Sequence, residues 1–183
     1  NIGRSPFWKG QLDKGQNVRV IEEICQAAHA LRTDRIGALI VLERRHGLKN
    51  YMEGATILNS VVSAELLMSI FLEKSPIHDG AVIISGTQIL AAGCFFPVTL
   101  EADLDKILGT RHRAAVGLTR ETDSVVGVLS EERGEISLVE FGEIFRDLDI
   151  LKLKENLYLC FDLNKLETPV GPAEKGATSH GAN

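Results

Sequence analysis

The chain has 183 residues, of which 44% are hydrophobic, 25% charged and 5% aromatic, and its formal net charge is −5. That length suits one domain with an ordinary core, and the composition is that of a globular protein rather than a disordered or fibrous one. A negative balance without a basic stripe argues against a nucleic-acid partner, though a small anion needs only a local cluster of donors.

In chain order, residues 1–16 read as a leading segment, mixed in composition and containing Pro6 and Trp8. A helical pattern is expected from Asn17, with Val18, Ile21, Ile24, Cys25, Ala28 and Leu31 recurring at three and four residues. Ile36 to Leu42 is apolar at every position, as in a strand covered on both faces. Ser60 is the expected cap of a second helix carrying Val62, Leu66, Leu67 and Ile70.

A loop over residues 73–79 leads to a strand from Ala81 to Ser85, and Gly86-Thr87-Gln88 reads as the hairpin turn before Ile89 to Phe96. A helix is expected after Gly109-Thr110-Arg111-His112-Arg113, running to about Thr122. Strands are then expected at Ser124 to Leu129 and Ile136 to Val139. Apolar positions return from Ile144 to Phe161, and residues 164–183 read as a flexible tail. Hairpin and helical connections occur together, so the expected fold class is α/β. It would be a single domain over residues 17–163 with a central mixed β-sheet flanked by helices.

The three cysteines, Cys25, Cys94 and Cys160, are widely spaced and form neither a disulfide framework nor a zinc motif. No apolar run approaches the roughly 18 residues of a membrane span. The chain begins at Asn1 and its methionines are Met52 and Met68, from which a fragment of a longer protein is expected.

Chemistry is suggested by three segments at strand ends, where open α/β sheets usually bind ligands. These are Pro76-Ile77-His78-Asp79-Gly80-Ala81, Gly109-Thr110-Arg111-His112-Arg113-Ala114-Ala115 and Ser130-Glu131-Glu132. Singly, each has an ordinary reading as a turn, a solvated helix start or a hairpin rim. Together they assemble phosphate-binding devices. A glycine opens a helix whose N-terminus favours anions, and Arg111 and Arg113 offer forked donors. Asp79 offers a hard oxygen for Mg²⁺ or Mn²⁺. The P-loop, the dinucleotide fingerprint and the G-x-S-x-G elbow are absent. His29, His46 and His180 receive no role.

In this order and spacing the segments resemble the diadenylate cyclase domain family. Supporting stretches are Arg35-Ile36-Gly37-Ala38-Leu39, Leu58-Asn59, Ser63-Ala64-Glu65-Leu66-Leu67, Thr122-Asp123-Ser124 and Ser130-Glu131-Glu132, within a resemblance covering about Val18 to Leu148. The resemblance implies condensation of two ATP into cyclic di-AMP with release of two pyrophosphates, metal-dependent, at a head-to-head homodimer interface. It implies that Asp79 binds the divalent metal, with His78 as a second ligand, and helps activate the ribose 3′-hydroxyl. Gly80 and Ala81 would line the nucleotide pocket, and Ile77 and Phe95 would flank adenine. Gly109 would open the phosphate-binding helix, Thr110, Arg111 and Arg113 would hold phosphates, and His112 would support their loop. Ser130 and Glu132 would sit near the phosphates and metal. It further implies the membrane-anchored bacterial type, with transmembrane helices before residue 1, the domain on the cytoplasmic face, and room for a regulatory protein.

Three other readings fit the same residues: a nucleotide sensor without turnover, a metal-dependent nucleotide hydrolase, and a purely structural interaction domain. Product identity separates the first two from a cyclase, and the third leaves Asp79 and the arginines unexplained.

Overall fold

The structure is a computed structural model describing residues 13–97 and 108–163. The first helix, α1, runs from Lys14 to Thr33. It starts three residues ahead of the expected Asn17 because Asp13 and Gln16 form a capping box: the Asp13 carboxylate accepts from the Gln16 N–H at 2.8 Å, and the Gln16 side chain accepts from the Asp13 N–H at 3.2 Å. Most of residues 1–16, and the whole expected tail, lie outside the described residues.

One mixed sheet of seven strands organises the domain, in the order β2-β4-β3-β1-β5-β6-β7. Its centre is β1 (Ala38–Leu42), parallel to β3 (Ala81–Ser85) and antiparallel to β5 (Val125–Leu129). The unbroken apolar runs are explained by the two faces. Ala38, Ile40 and Leu42 enter one core with Val82, Ile84 and Val125, while Leu39 and Val41 enter a second with Ile83, Val126 and Val128. The first core is covered by α1, α2 (Ala64–Phe71) and α4 (Ile150–Cys160), and α1 packs against both of the others. The second core is covered by α3 (Thr110–Glu121) through Ala114, Ala115, Val116 and Leu118. The expected α/β fold with a central mixed sheet flanked by helices is what the chain adopts.

The Gly86-Thr87 turn joins β3 to β4 (Gln88–Cys94) as expected. Ser60 does not cap a helix. It lies in β2 (Thr56–Val61), an edge strand paired antiparallel with β4. The cap is Ser63, whose hydroxyl accepts from the Leu66 N–H at 3.2 Å. The apolar stretch after Ile144 resolves into the end of β7 (Glu143–Phe145) and then α4, capped by Asp149. Between them and β5, β6 (Ile136–Glu140) carries Ile136 and Leu138 into the first core and Val139 into the second.

Candidate active site

A cavity of about 440 Å³ opens beside the N-terminus of α3. Its inner wall is apolar, with Leu39 from β1, Val128 from β5, and Phe96 just after β4. Its rim is polar or charged at Asp79, Thr110, Arg111, Glu131 and Glu132. The parallel pair β1 and β3 presents its N-terminal ends here, and the antiparallel β4 and β5 their C-terminal ends. The usual rule that ligands sit at the carboxyl ends of parallel strands therefore does not describe this sheet, because antiparallel neighbours carry two of the three sequence segments to the opposite end.

Of the features expected on α3, the glycine start, Thr110 and Arg111 border the cavity. Gly109 is the N-cap, in extended conformation, and no side chain caps this end. Among the described residues a β-carbon at Gly109 would meet nothing within 4 Å, and Gly109 and Thr110 line the cavity. The first-turn N–H groups and the positive end of the helix dipole thus face the cavity. Arg111 lines it, and its Nη2 donates to Glu131 Oε1 at 2.7 Å. Arg113, two residues on, lies about 200° round the helix and is not among the cavity-lining residues. Its Nε is buried without a partner among the described residues.

His112 is 6% exposed and ties α3 to the sheet, its Nε2 lying 3.1 Å from the Ser137 hydroxyl on β6. Burial lowers its pKa below the ordinary 6.5. The cations of Arg146 and Arg133 push the same way against the weaker pull of Glu135, so the neutral imidazole is favoured. With His112 fixed against β6, the helix start is held in one rotation, and Arg111 is presented at the rim.

Asp79 lies two residues before β3, and its side chain is 76% exposed. His78 Nδ1 lies 2.7 Å from the Ser75 carbonyl oxygen, which can only accept, so Nδ1 carries the hydrogen. Nε2 lies 3.5 Å from Asp79 Oδ1. An imidazole nitrogen and a carboxylate oxygen thus stand side by side, both of them ligand types found around divalent cations. No group of three or more His, Cys, Asp or Glu side chains that could hold a metal occurs among the described residues.

Gly80 has φ of +84°, and a β-carbon there would lie 2.6 Å from the Cys94 carbonyl oxygen. The β3–β4 pairing is irregular at this point, and Gly93, at φ +69°, lies in the same irregular stretch. Glycine at residue 80 lets the two backbones close together and delivers Asp79 to the rim. Cys94 also lines the cavity, but burial pushes its thiol up to about 11, which keeps it protonated and inert as a nucleophile or ligand.

Phe95 stands on the cavity rim and is 72% exposed, an unusual position for a large aromatic ring. Ser130 and Glu132 belong to the β5–β6 turn, which closes through Ser130 N–H to Glu135 C=O at 3.0 Å and Gly134 N–H to Ser130 C=O at 2.9 Å. Ile77 and Ala81 do not line the cavity. Ile77 packs against the first core, and Ala81, 1% exposed, belongs to the second. The structure thus gathers Asp79, Gly80, Phe95, Gly109, Thr110, Arg111, His112, Ser130 and Glu132 around one space, and leaves Ile77, His78, Ala81 and Arg113 outside its lining. Sequence reasoning gave no individual role to Gly37 or Glu131, whose signals were a glycine at a strand start and one of two adjacent acids.

Residues 25–144 match the family model described as DisA bacterial checkpoint controller nucleotide-binding, the DAC domain. The chain is 43% identical over 169 residues to the cyclic di-AMP synthase CdaA of Bacillus subtilis, covering 91% of this chain and 62% of that protein. It is 46% identical over 129 residues to a diadenylate cyclase of Listeria monocytogenes, covering 70% and 47% respectively. The chain therefore spans roughly half to three fifths of these relatives' lengths. Among solved structures it resembles a double mutant of DacA from Staphylococcus aureus at TM-score 0.75 and 39% identity, covering 78% of this chain and 95% of that one. It also resembles a hypothetical membrane-spanning protein from Bacillus cereus at TM-score 0.64 and 37% identity, covering 70% and 63%. With a DAC model matching well over half of its length, the chain belongs to the diadenylate cyclase domain family.

Proposed function

We propose that this chain is the catalytic domain of a diadenylate cyclase, which joins two ATP molecules into cyclic di-AMP. The observation that carries the reading is one cavity, about 440 Å³ and thus of single-nucleotide size, bearing an exposed aromatic ring, an uncapped helix start with Arg111, and Asp79. Phe95 offers adenine a stacking face. The α3 N–H groups, Thr110 and Arg111 hold the phosphate oxygens, and Ser130 and Glu132 border the same region.

In each half-reaction a ribose 3′-oxygen attacks the α-phosphorus of the other ATP. The new bond is 3′-O–P, the bond that breaks joins the α-phosphorus to the bridging oxygen, and pyrophosphate leaves with that electron pair. Asp79 takes the 3′-hydroxyl proton, and Arg111 neutralises charge on the phosphates. Two such steps give one cyclic di-AMP and two pyrophosphates. Such catalysis is mostly positioning and charge stabilisation.

Asp79 and His78 Nε2 would hold Mg²⁺ or Mn²⁺, with phosphate oxygens and water completing the shell, as is usual for such ions on nucleotides. When bound, the cation supplies Lewis-acid polarisation of the phosphate. One cavity holds one ATP, so the product requires two copies with their cavities facing. A head-to-head homodimer provides this. Placement at a membrane, through a segment outside this chain, is supported by the likeness to a protein described as membrane-spanning, and the proposal sets the domain on the cytoplasmic face, where ATP is made. Among the described residues no helix is long and apolar enough to cross a membrane. The anchoring reading predicts that the full-length gene product sediments with membranes, and a freely soluble product would overturn it.

The test is incubation with ATP and Mg²⁺ or Mn²⁺ followed by mass spectrometry of the products. Cyclic di-AMP is expected, and Asp79→Asn should abolish it while the chain still folds. AMP or ADP alone would mark a hydrolase, and bound but intact ATP a sensor. Near-normal turnover by Asp79→Asn would remove the role given to that carboxylate.

A further inference from the structure

The Arg111–Glu131 pair does not hang free at the cavity rim. It lies against the bare Cα of Gly37, one residue before β1. A β-carbon on Gly37 would sit 2.5 Å from the Arg111 guanidinium carbon and 2.6 Å from Glu131 Oε1. Both distances are far inside van der Waals contact. The backbone itself does not require glycine here, because φ of Gly37 lies outside the left-handed region, in contrast to Gly80 at +84°. A side chain at residue 37 would take the space that the ion pair occupies, so it would push the ends of Arg111 and Glu131 out of this arrangement.

Three elements meet at this point. Gly37 leads into β1, Glu131 follows β5, and Arg111 stands in the first turn of α3. The Ala38–Leu129 pair brings Gly37 beside the start of the β5–β6 turn, which carries Glu131 and is closed by the Ser130–Glu135 and Gly134–Ser130 backbone hydrogen bonds. Arg111 comes from the opposite layer with a long side chain and many rotamers. An exposed ion pair alone orders such a chain weakly, and Glu131 is 56% exposed. Close contact with the Gly37 backbone removes rotamers sterically, which solvent does not screen.

We propose that Gly37 and Glu131 are positioning residues for Arg111. The glycine forms a seat and the carboxylate a clamp, and together they fix the angle at which the arginine's remaining donors face the substrate phosphates. This rests on the cyclase-site reading above, and it assigns two residues beyond the phosphate and metal ligands of that reading.

The test is a double-mutant cycle on the whole chain, titrating 3′-deoxy-ATP by calorimetry, a probe that lacks the attacking hydroxyl and so binds without turning over. Arg111→Ala should weaken binding by about 10- to 100-fold. Gly37→Ala should weaken it by at least about fivefold in the parent chain and by less than about twofold in the Arg111→Ala background, because coupled residues are non-additive. Equal losses in both backgrounds would overturn the seat, as would an unchanged dissociation constant in Gly37→Ala beside a weakened Arg111→Ala. An unchanged constant in Arg111→Ala would instead overturn the phosphate reading, and the seat with it.

Should Gly37→Ala not fold, Glu131→Gln tests the clamp by nitrogen-15 NMR of the arginine guanidinium groups. Slow rotation of the Arg111 Nη groups is expected in the parent chain and faster rotation in the variant. Identical rotation in both would overturn the clamp.

Discussion

His112 on α3 and Ser137 on β6 meet across the interface between helix and sheet, Nε2 to Oγ at 3.1 Å, with His112 6% and Ser137 0% exposed. Ser137 is a polar position in a strand whose other four residues are Ile136, Leu138, Val139 and Glu140. The imidazole gives it a partner where an unpaired hydroxyl would be costly. The contact orients the first turn of α3 and therefore the end of the cavity proposed to hold the phosphates.

That contact predicts a pH dependence. Burial first, and the Arg146 and Arg133 cations next, lower the folded pKa of His112 below 6.5. The unfolded chain then binds the proton before the folded one does. The stability is complete above pH 6.5 and is lost as pH falls from 6.5 through the folded value. The limiting slope for one proton is about 1.4 kcal/mol per pH unit. His112→Gln should be less stable at pH 7.5 but should lose less on acidification from 6.5 to 5.5. Urea unfolding at both pH values checks this. An equally steep loss in the variant would assign the acid sensitivity to other groups.

Gly80→Ala should destabilise by about 1–3 kcal/mol, the range for a side chain forced into a left-handed conformation. The clash with the Cys94 carbonyl adds to this because backbone cannot swing away. Turnover should fall further than stability does, since Asp79 is the adjacent residue. Urea midpoints beside product formation separate the two effects. Unchanged stability would mean that the β3–β4 irregularity absorbs a methyl group.

How much of this was legible in the sequence follows from where the physical signals lie. β1 and β3 were readable because both of their faces are buried, which leaves an unbroken apolar run. The α3 start was readable because glycine and arginines at a helix N-terminus are chemically distinctive. β2 was not readable. It is an edge strand, exposed at four of its six positions, with a left-handed Asn59 that breaks its pairing register. Ser60 and Ser63 offer the same capping chemistry, and only the pairing of β2 with β4 decides between them. The role proposed for Gly37 was not readable from a glycine at a strand start, since its contacts with Arg111 and Glu131 exist only once α3 and the β5–β6 turn are brought together. The three strand-end segments do meet at one cavity, but which ends of the strands meet there was not readable, because β4 and β5 run antiparallel to the central pair, which composition cannot tell.

Phe95 should divide binding from folding cleanly. The ring is 72% exposed, so Phe95→Ala should change stability by no more than about 0.5 kcal/mol. Loss of a stacking face should cost about 1–3 kcal/mol of nucleotide affinity. Phe95→Tyr should bind almost normally, because it keeps the face. Calorimetric titration with ATP and without divalent metal checks the series. Unchanged affinity in Phe95→Ala would place adenine elsewhere.

The facing-cavity requirement makes the strongest kinetic prediction. On the proposed reading a single cavity binds and orients one ATP, and each bond to be formed joins two nucleotides held by different copies. Activity per protomer should therefore fall as the protein is diluted through its dimer dissociation constant, and well below it the total rate should rise with the square of protein concentration. Mixing supplies a second check. Asp79→Asn added in excess over the parent chain should form mixed dimers that complete at most one of the two bonds, so cyclic di-AMP output should drop and a linear intermediate should accumulate. Constant activity per protomer down to nanomolar protein, with no inhibition by the added variant, would show that one cavity completes both bonds alone.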